Sequence, residues 1–138
     1  MDFTELYIKK CKKAEDIQKE WNPDVGDIFS HDGTHWSIVY SNHIDTGKLY
    51  TFYNMEGLGY GTKLEEFKNR NYIWLPRQDQ LQEIIPLNGF SERNYYWLEE
   101  IILGMHQQLK FCCSIEQLWL AFVMKERFRK EWDGEEWK

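Results

Sequence analysis

A chain of 138 residues with a formal net charge of −6 fits one globular domain, 1–138, and starts at a disadvantage for binding duplex DNA. Aromatic residues make up 17%, from seven Trp, eight Tyr and eight Phe, which argues against disorder and for a ring-rich core. The longest apolar runs are far too short to span a bilayer, and the first five residues carry no basic segment leading into an apolar one, so neither a membrane span nor a secretory signal is expected.

The spacing predicts a helix over 3–20. Phe3, Leu6, Tyr7, Cys11, Ala14 and Ile17 recur at three- and four-residue steps, and Asp2 with Glu5 suggests a capping box. Lys9, Lys10, Lys12 and Lys13 read as a solvated face balanced by acidic neighbours one turn away. Trp21-Asn22-Pro23-Asp24-Val25-Gly26 stops the helix, because the residue before proline is disfavoured in the α region.

A β region follows. Residues 27–30 form a short strand candidate, and Asp32-Gly33 is a tight-turn dipeptide. In 35–41, Trp36, Ile38 and Tyr40 point one way, while His35, Ser37 and Ser41 point the other. Asp45-Thr46-Gly47 makes the next turn, and 48–55 is rich in β-formers. Thr62 with Glu65 predicts a cap opening a helix to about 69. Residues 72–75 are a fourth strand or an extended crossing. Pro76 then opens a helix over 77–85, with a loop over 87–94.

Two longer helices are predicted at the end, over about 92–109, with Gly104 inside, and from Ser114 to about 132. The last is apolar on two faces, so it is either sandwiched or shared with a partner. Asp133-Gly134 ends it and Trp137 lies in the tail. The expected fold class is α+β: an N-terminal helix, an antiparallel three- to four-stranded β-meander, then a C-terminal group of helices packed on the sheet.

No segment carries a catalytic, metal or nucleotide signature. His31, His35, His43 and Asp45 lie in neighbouring turns, but nothing in their spacing makes them converge, so polar loop histidines and no metal are expected. Gly57-x-Gly59-x-Gly61-Thr62-Lys63 before a helix offers an anion site at Gly59, Gly61, Thr62 and Lys63, without phosphate-loop spacing. Cys11, Cys112 and Cys113 have no histidine placed with them by any local motif, and an odd count without an export signal fits reduced thiols in a cytoplasm. Glu99-Glu100 and Glu135-Glu136 are adjacent and do not face each other on a helix. Lys125, Arg127, Arg129 and Lys130 complement the end of the last helix.

Three stretches carry a resemblance: Trp21-Asn22-Pro23-x-x-Gly26-Asp27; Ile73-Trp74-Leu75-Pro76-Arg77-Gln78-Asp79-Gln80-Leu81-Gln82; and Ser114-x-Glu116-x-Leu118-Trp119-Leu120 through Val123-Met124-Lys125-Glu126 to Trp132-Asp133-Gly134-Glu135-Glu136-Trp137. Together they resemble small uncharacterised proteins of phages and prophages of Gram-positive bacteria. The resemblance implies a cytoplasmic protein of an infected or lysogenic cell. It carries no known activity.

The leading expectation is a non-enzymatic accessory protein that binds a protein partner or itself through Trp119, Leu120, Met124, Phe128, Trp132 and Trp137, with no cofactor, no membrane and no duplex DNA. One alternative is a small-ligand or nucleotide-related enzyme built on the β-meander loops. Another is a single-stranded nucleic-acid binder using the basic stretch of the last helix, with Trp132 or Trp137 as a stacking platform.

Overall fold

The computed structural model describes residues 1–43, 45–53, 61–85 and 112–138. The architecture is mixed α+β, with N-terminal helices, an antiparallel five-stranded sheet and C-terminal helices. In chain order the described elements are α1 (Glu5–Lys13), α2 (Glu15–Glu20), β1 (Ile28–Ser30), β2 (Trp36–His43), β3 (Lys48–Tyr53), β4 (Thr62–Lys63), α3 (Leu64–Asn69), β5 (Ile73–Trp74), α4 (Gln78–Ile84) and α5 (Ile115–Phe128). The chain divides into two compact units, Phe3–Pro76 and Met1–Asp2 with Arg77–Lys138. The helix expected over 92–109 lies outside the described residues. Among the described residues no helix is long and apolar enough to cross a membrane.

In the first unit the single helix expected over 3–20 is two. Thr4, not Asp2, caps α1, its hydroxyl accepting from the Tyr7 N–H at 3.2 Å. The helix breaks at Ala14, where ψ swings to 60°, and resumes as α2. At the break the Cys11 carbonyl accepts from the Ala14 N–H at 3.1 Å and from the Gln18 side chain at 3.0 Å. Lys10, expected in solvent, is 0% exposed. It sits three positions after Tyr7 and four before Ala14, on the buried stripe rather than the wet face. Tyr7 reaches across to donate its hydroxyl to the Pro76 carbonyl.

The sheet order is β4-β3-β2-β1-β5, so β5 returns to the far edge beside β1. Strand alternation sorts its side chains. Phe29, Val39 and Leu49 form the core with Phe67 of α3, and Trp21, Leu64 and Tyr72 pack around them. Fully burying side chains of this kind contributes roughly 1.5–3 kcal/mol each. Trp21 donates its indole N–H to Asp27 at 2.8 Å, which fixes the turn after α2. The expected alternation of β2 holds as far as Val39. A bulge between Val39 and Ser41 then makes Tyr40 the extra residue, so Ser41 pairs with Tyr50 instead of joining Ser37 on the core side. Thr62 is not a helix cap. Thr62 and Lys63 pair with Leu49 and Lys48, Lys63 becomes the N-cap residue, and the Leu64 N–H bonds the Gly47 carbonyl at 3.1 Å.

The edge strand β5 is closed by one side chain. Gln18 accepts from the Trp74 N–H at 2.8 Å and donates to the Trp74 carbonyl at 3.0 Å. Its carboxamide thus does for Trp74 what a neighbouring strand's peptide group would do.

In the second unit, α4 starts at Gln78, one residue later than expected, and Gln80 accepts from the Arg77 N–H at 3.0 Å. It packs against α5. Ser114 caps α5 as expected, accepting from the Gln117 N–H at 3.1 Å. The Gln117 side chain does not complete the reciprocal box. It donates to Asp2 at 2.7 Å and accepts from the Cys113 N–H. Asp2 also accepts from the Ser114 hydroxyl, which explains why it does not cap α1.

α5 ends at Phe128, short of the expected Trp132. Arg129 adopts the left-handed conformation (φ 59°), and the Lys130 N–H returns to the Met124 carbonyl. Asp133-Gly134 is therefore a hairpin turn rather than a helix stop. Trp132 and Trp137 face each other across a β-bridge, and Glu131 and Lys138 exchange two backbone hydrogen bonds. Asp133 accepts from the N–H groups of Glu135 and Glu136, while Gly134 supplies the positive φ the turn requires.

Replacing Gln18 with alanine leaves the Trp74 N–H and carbonyl without these partners and is expected to cost about 1–3 kcal/mol. Urea unfolding of Gln18→Ala measures this. An unchanged midpoint would show that the edge needs no closure.

Candidate functional site

The two faces of the sheet differ. Opposite the core lies an outer face carrying Trp36, Ile38 and Tyr40 from β2, and Lys48, Tyr50 and Phe52 from β3. Ile38 is opposite Phe52, and the Tyr40 ring lies 4.1 Å from that of Phe52 and 6.2 Å from that of Tyr50. Alternation puts Tyr40 on the face of Ile38, and the bulge leaves it as the extra residue beside Ser41, opposite Tyr50. These side chains are half-buried. Phe3, 36% exposed, stacks on Trp36 with centroids 4.4 Å apart and extends the row.

Basic side chains bound one end of the stripe. His43 pairs with Lys48 in register, and Lys48 pairs with Lys63, so three basic side chains lie side by side across β2, β3 and β4. Among the described residues neither lysine side chain has a hydrogen-bond or ion-pair partner. His43 lies 4.9 Å from the Tyr50 ring, which joins the basic row to the aromatic one. Gly61 adjoins the same ring. A Cβ there would stand 2.7 Å from Tyr50, so glycine at this position makes room for the aromatic side chain.

The anion site expected at Gly59, Gly61, Thr62 and Lys63 takes a different form. Gly59 lies outside the described residues, Gly61 accommodates Tyr50, and Thr62 is in a strand. Only Lys63 remains as an anion-attracting group, and it acts from a sheet position beside Lys48 rather than at a phosphate loop. Local sequence patterns do not reveal the row, because β4 is only two residues long and its pairing is a matter of register.

The histidines do not converge. His31 and His35 lie at the start of β2 and His43 at its end, about 25 Å away for an extended strand. Among the described residues no group of three or more His, Cys, Asp or Glu side chains is placed to hold a metal. His31 Nε2 is 2.6 Å from Ser37 Oγ, but Ser37 is 0% exposed and a nucleophile so enclosed meets no substrate. The pair instead ties the β1–β2 hairpin to the aromatic cluster, where His31 packs edge-on against Phe29 and Tyr72. At the hairpin tip, the His35 backbone N–H, the His35 ring and the Thr34 N–H hold the Asp32 carboxyl well below the usual carboxylate range.

The residues expected on α5 and beyond are mostly interior. Leu120 and Met124 are buried, as are Trp132 (3% exposed) and Trp137 (8%), whose rings meet in a T at 5.1 Å. They leave no ring face for a partner or a base. Trp119 is half-buried against Phe122, and Phe128 is half-buried beneath Arg127. Lys125 is paired with Glu131 at 3.0 Å. Cys11 and Cys112 are buried and Cys113 is exposed, and all three are free thiols.

Burial pushes the His31 pKa below its ordinary 6.5, with Arg70 and His35 adding to the shift and Asp32 opposing it. The unfolded chain then binds more protons than the folded one just below pH 6.5, so stability should fall as pH drops from 7 toward 5. Urea midpoints across that range should slope downward, and His31→Gln should flatten the slope. An unaltered slope in the variant would assign the dependence to other groups. No family model, curated protein or solved structure matches the chain.

Proposed function

We propose that the protein is a non-enzymatic accessory protein that works by binding a macromolecule, and that its recognition surface is the outer face of β2 and β3. The stripe of half-buried rings on that face, Trp36, Tyr40, Tyr50 and Phe52 with Phe3 stacked at its end, carries the reading. Aromatic side chains give large contact area at low conformational cost, which is why they concentrate at recognition surfaces. The burial of Trp132 and Trp137 supports moving the site here from the last helix. The separation of His31 and His35 from His43 weighs against an enzyme assembled from the β-meander loops. A role in the cytoplasm of a cell carrying a phage or prophage belongs to the same proposal and rests on the sequence resemblance.

A photo-crosslinking residue such as p-benzoylphenylalanine in place of Tyr50 tests the site directly in expressing cells. A discrete higher-mass adduct is expected there, and none from the same residue in place of the exposed Lys12 on α1. Equal adducts at both positions, or none at either, would overturn the assignment.

A further inference from the structure

Resting on that binding role, we infer that the occupant of the outer face is a single-stranded nucleic acid, with bases stacked on the Tyr50, Tyr40 and Phe52 rings and phosphates held by the row of His43, Lys48 and Lys63. The register carries this step. Like charges directly opposite each other across antiparallel strands are destabilising, yet Lys48 and Lys63 are cross-strand partners. Among the described residues neither side chain has an ion-pair or hydrogen-bond partner. Of the other cations in the same unit, Lys19 pairs with Glu15, Lys68 with the Asn22 side chain and Arg70 with the Tyr72 hydroxyl, while Lys12 and Lys13 stand in solvent on α1, where they are not cross-strand partners. An anion arriving from outside would relieve the Lys48–Lys63 repulsion.

The chemistry of the rest of the face narrows the anion. The residues sharing it, Trp36, Ile38, Tyr40, Ser41, Tyr50 and Phe52, include no carboxylate. Rings beside a basic row match a ligand that alternates flat bases with phosphates, and stacking of this kind is open to single strands, whose bases are unpaired and can be splayed. A duplex keeps its bases stacked inside and offers the rings nothing. The chain's acidity is a weak objection at this site. Phe3–Pro76 contains eleven acidic and nine basic residues, so most of the excess negative charge is carried by the other unit.

Fluorescence anisotropy with the full chain and labelled 15-nucleotide single-stranded DNA and RNA, against a duplex of the same sequence, tests the inference. Binding to a single strand at low salt is expected, with log affinity falling against log salt at a slope of about −1.4 for the two lysines. Tyr50→Ala should weaken binding about tenfold. Lys48→Glu is the sharper variant, because it turns a repulsive pair into an attractive one. It should hold or raise the thermal midpoint while weakening binding at least tenfold and flattening the salt slope. No anisotropy change with either single strand, equal affinity for the duplex, or unchanged affinity in Lys48→Glu would overturn the inference. A position-50 crosslink adduct that survives nuclease but not protease would also overturn it, and would leave the binding role standing with a protein as partner. Absence of both adduct and anisotropy change would remove the two together.

Discussion

The side chain of Gln18 closes the sheet. A two-residue edge strand such as β5 has few backbone bonds of its own, and an uncovered edge invites pairing with other chains. Gln18 supplies both the acceptor and the donor that Trp74 needs, and also bonds the Cys11 carbonyl. One carboxamide therefore links α1, α2 and β5. The break at Ala14 fits with this, because it starts the short helix that carries Gln18. With β5 secured, Tyr7 donates to Pro76 directly beyond it, and the aromatic cluster of Trp21, Phe29, Phe67 and Tyr72 packs on the core face.

Sealing one face determines what the other can do. The core face takes the residues that alternate with the outer row; Tyr40 follows Trp36 and Ile38 onto the outer row by alternation, and the bulge after it brings Ser41 to the same side. Sheet positions hold side chains more rigidly than loops, so a recognition surface built there loses little freedom on binding. The same rigidity keeps Lys48 and Lys63 adjacent despite their mutual repulsion. Residues placed by register in this way are candidates for a role outside folding, since the fold itself gains nothing from the pair.

Much of the fold was legible in the sequence because it followed local rules. Alternation along β2, the Asp32-Gly33 turn, the Ser114 cap and the α+β class all came from spacing and turn chemistry. The elements that escaped were set by distant partners. Asp2 has the form of an N-cap for α1 but bonds Ser114 and Gln117. Lys10 looks like one of four solvent lysines, yet its helical position falls on the buried stripe. Asp133-Gly134 fits a helix stop as well as a hairpin turn, and only the Trp132–Trp137 bridge decides between them. The candidate site was the least legible part. Gly61 and Lys63 stand out in sequence only as parts of a glycine-rich loop and Lys48 does not stand out at all; the three become a set only through the pairing of β3 with the two-residue β4.

The central claim is that recognition takes place on the outer face of β2 and β3 and not on the last helix. Backbone amide shifts recorded while a single-stranded oligonucleotide is titrated into the full chain test it most directly. The account predicts shifts concentrated in 36–43, 48–52 and 61–63. Shifts centred on α5 and the Trp132–Trp137 hairpin, with the sheet unmoved, would contradict it.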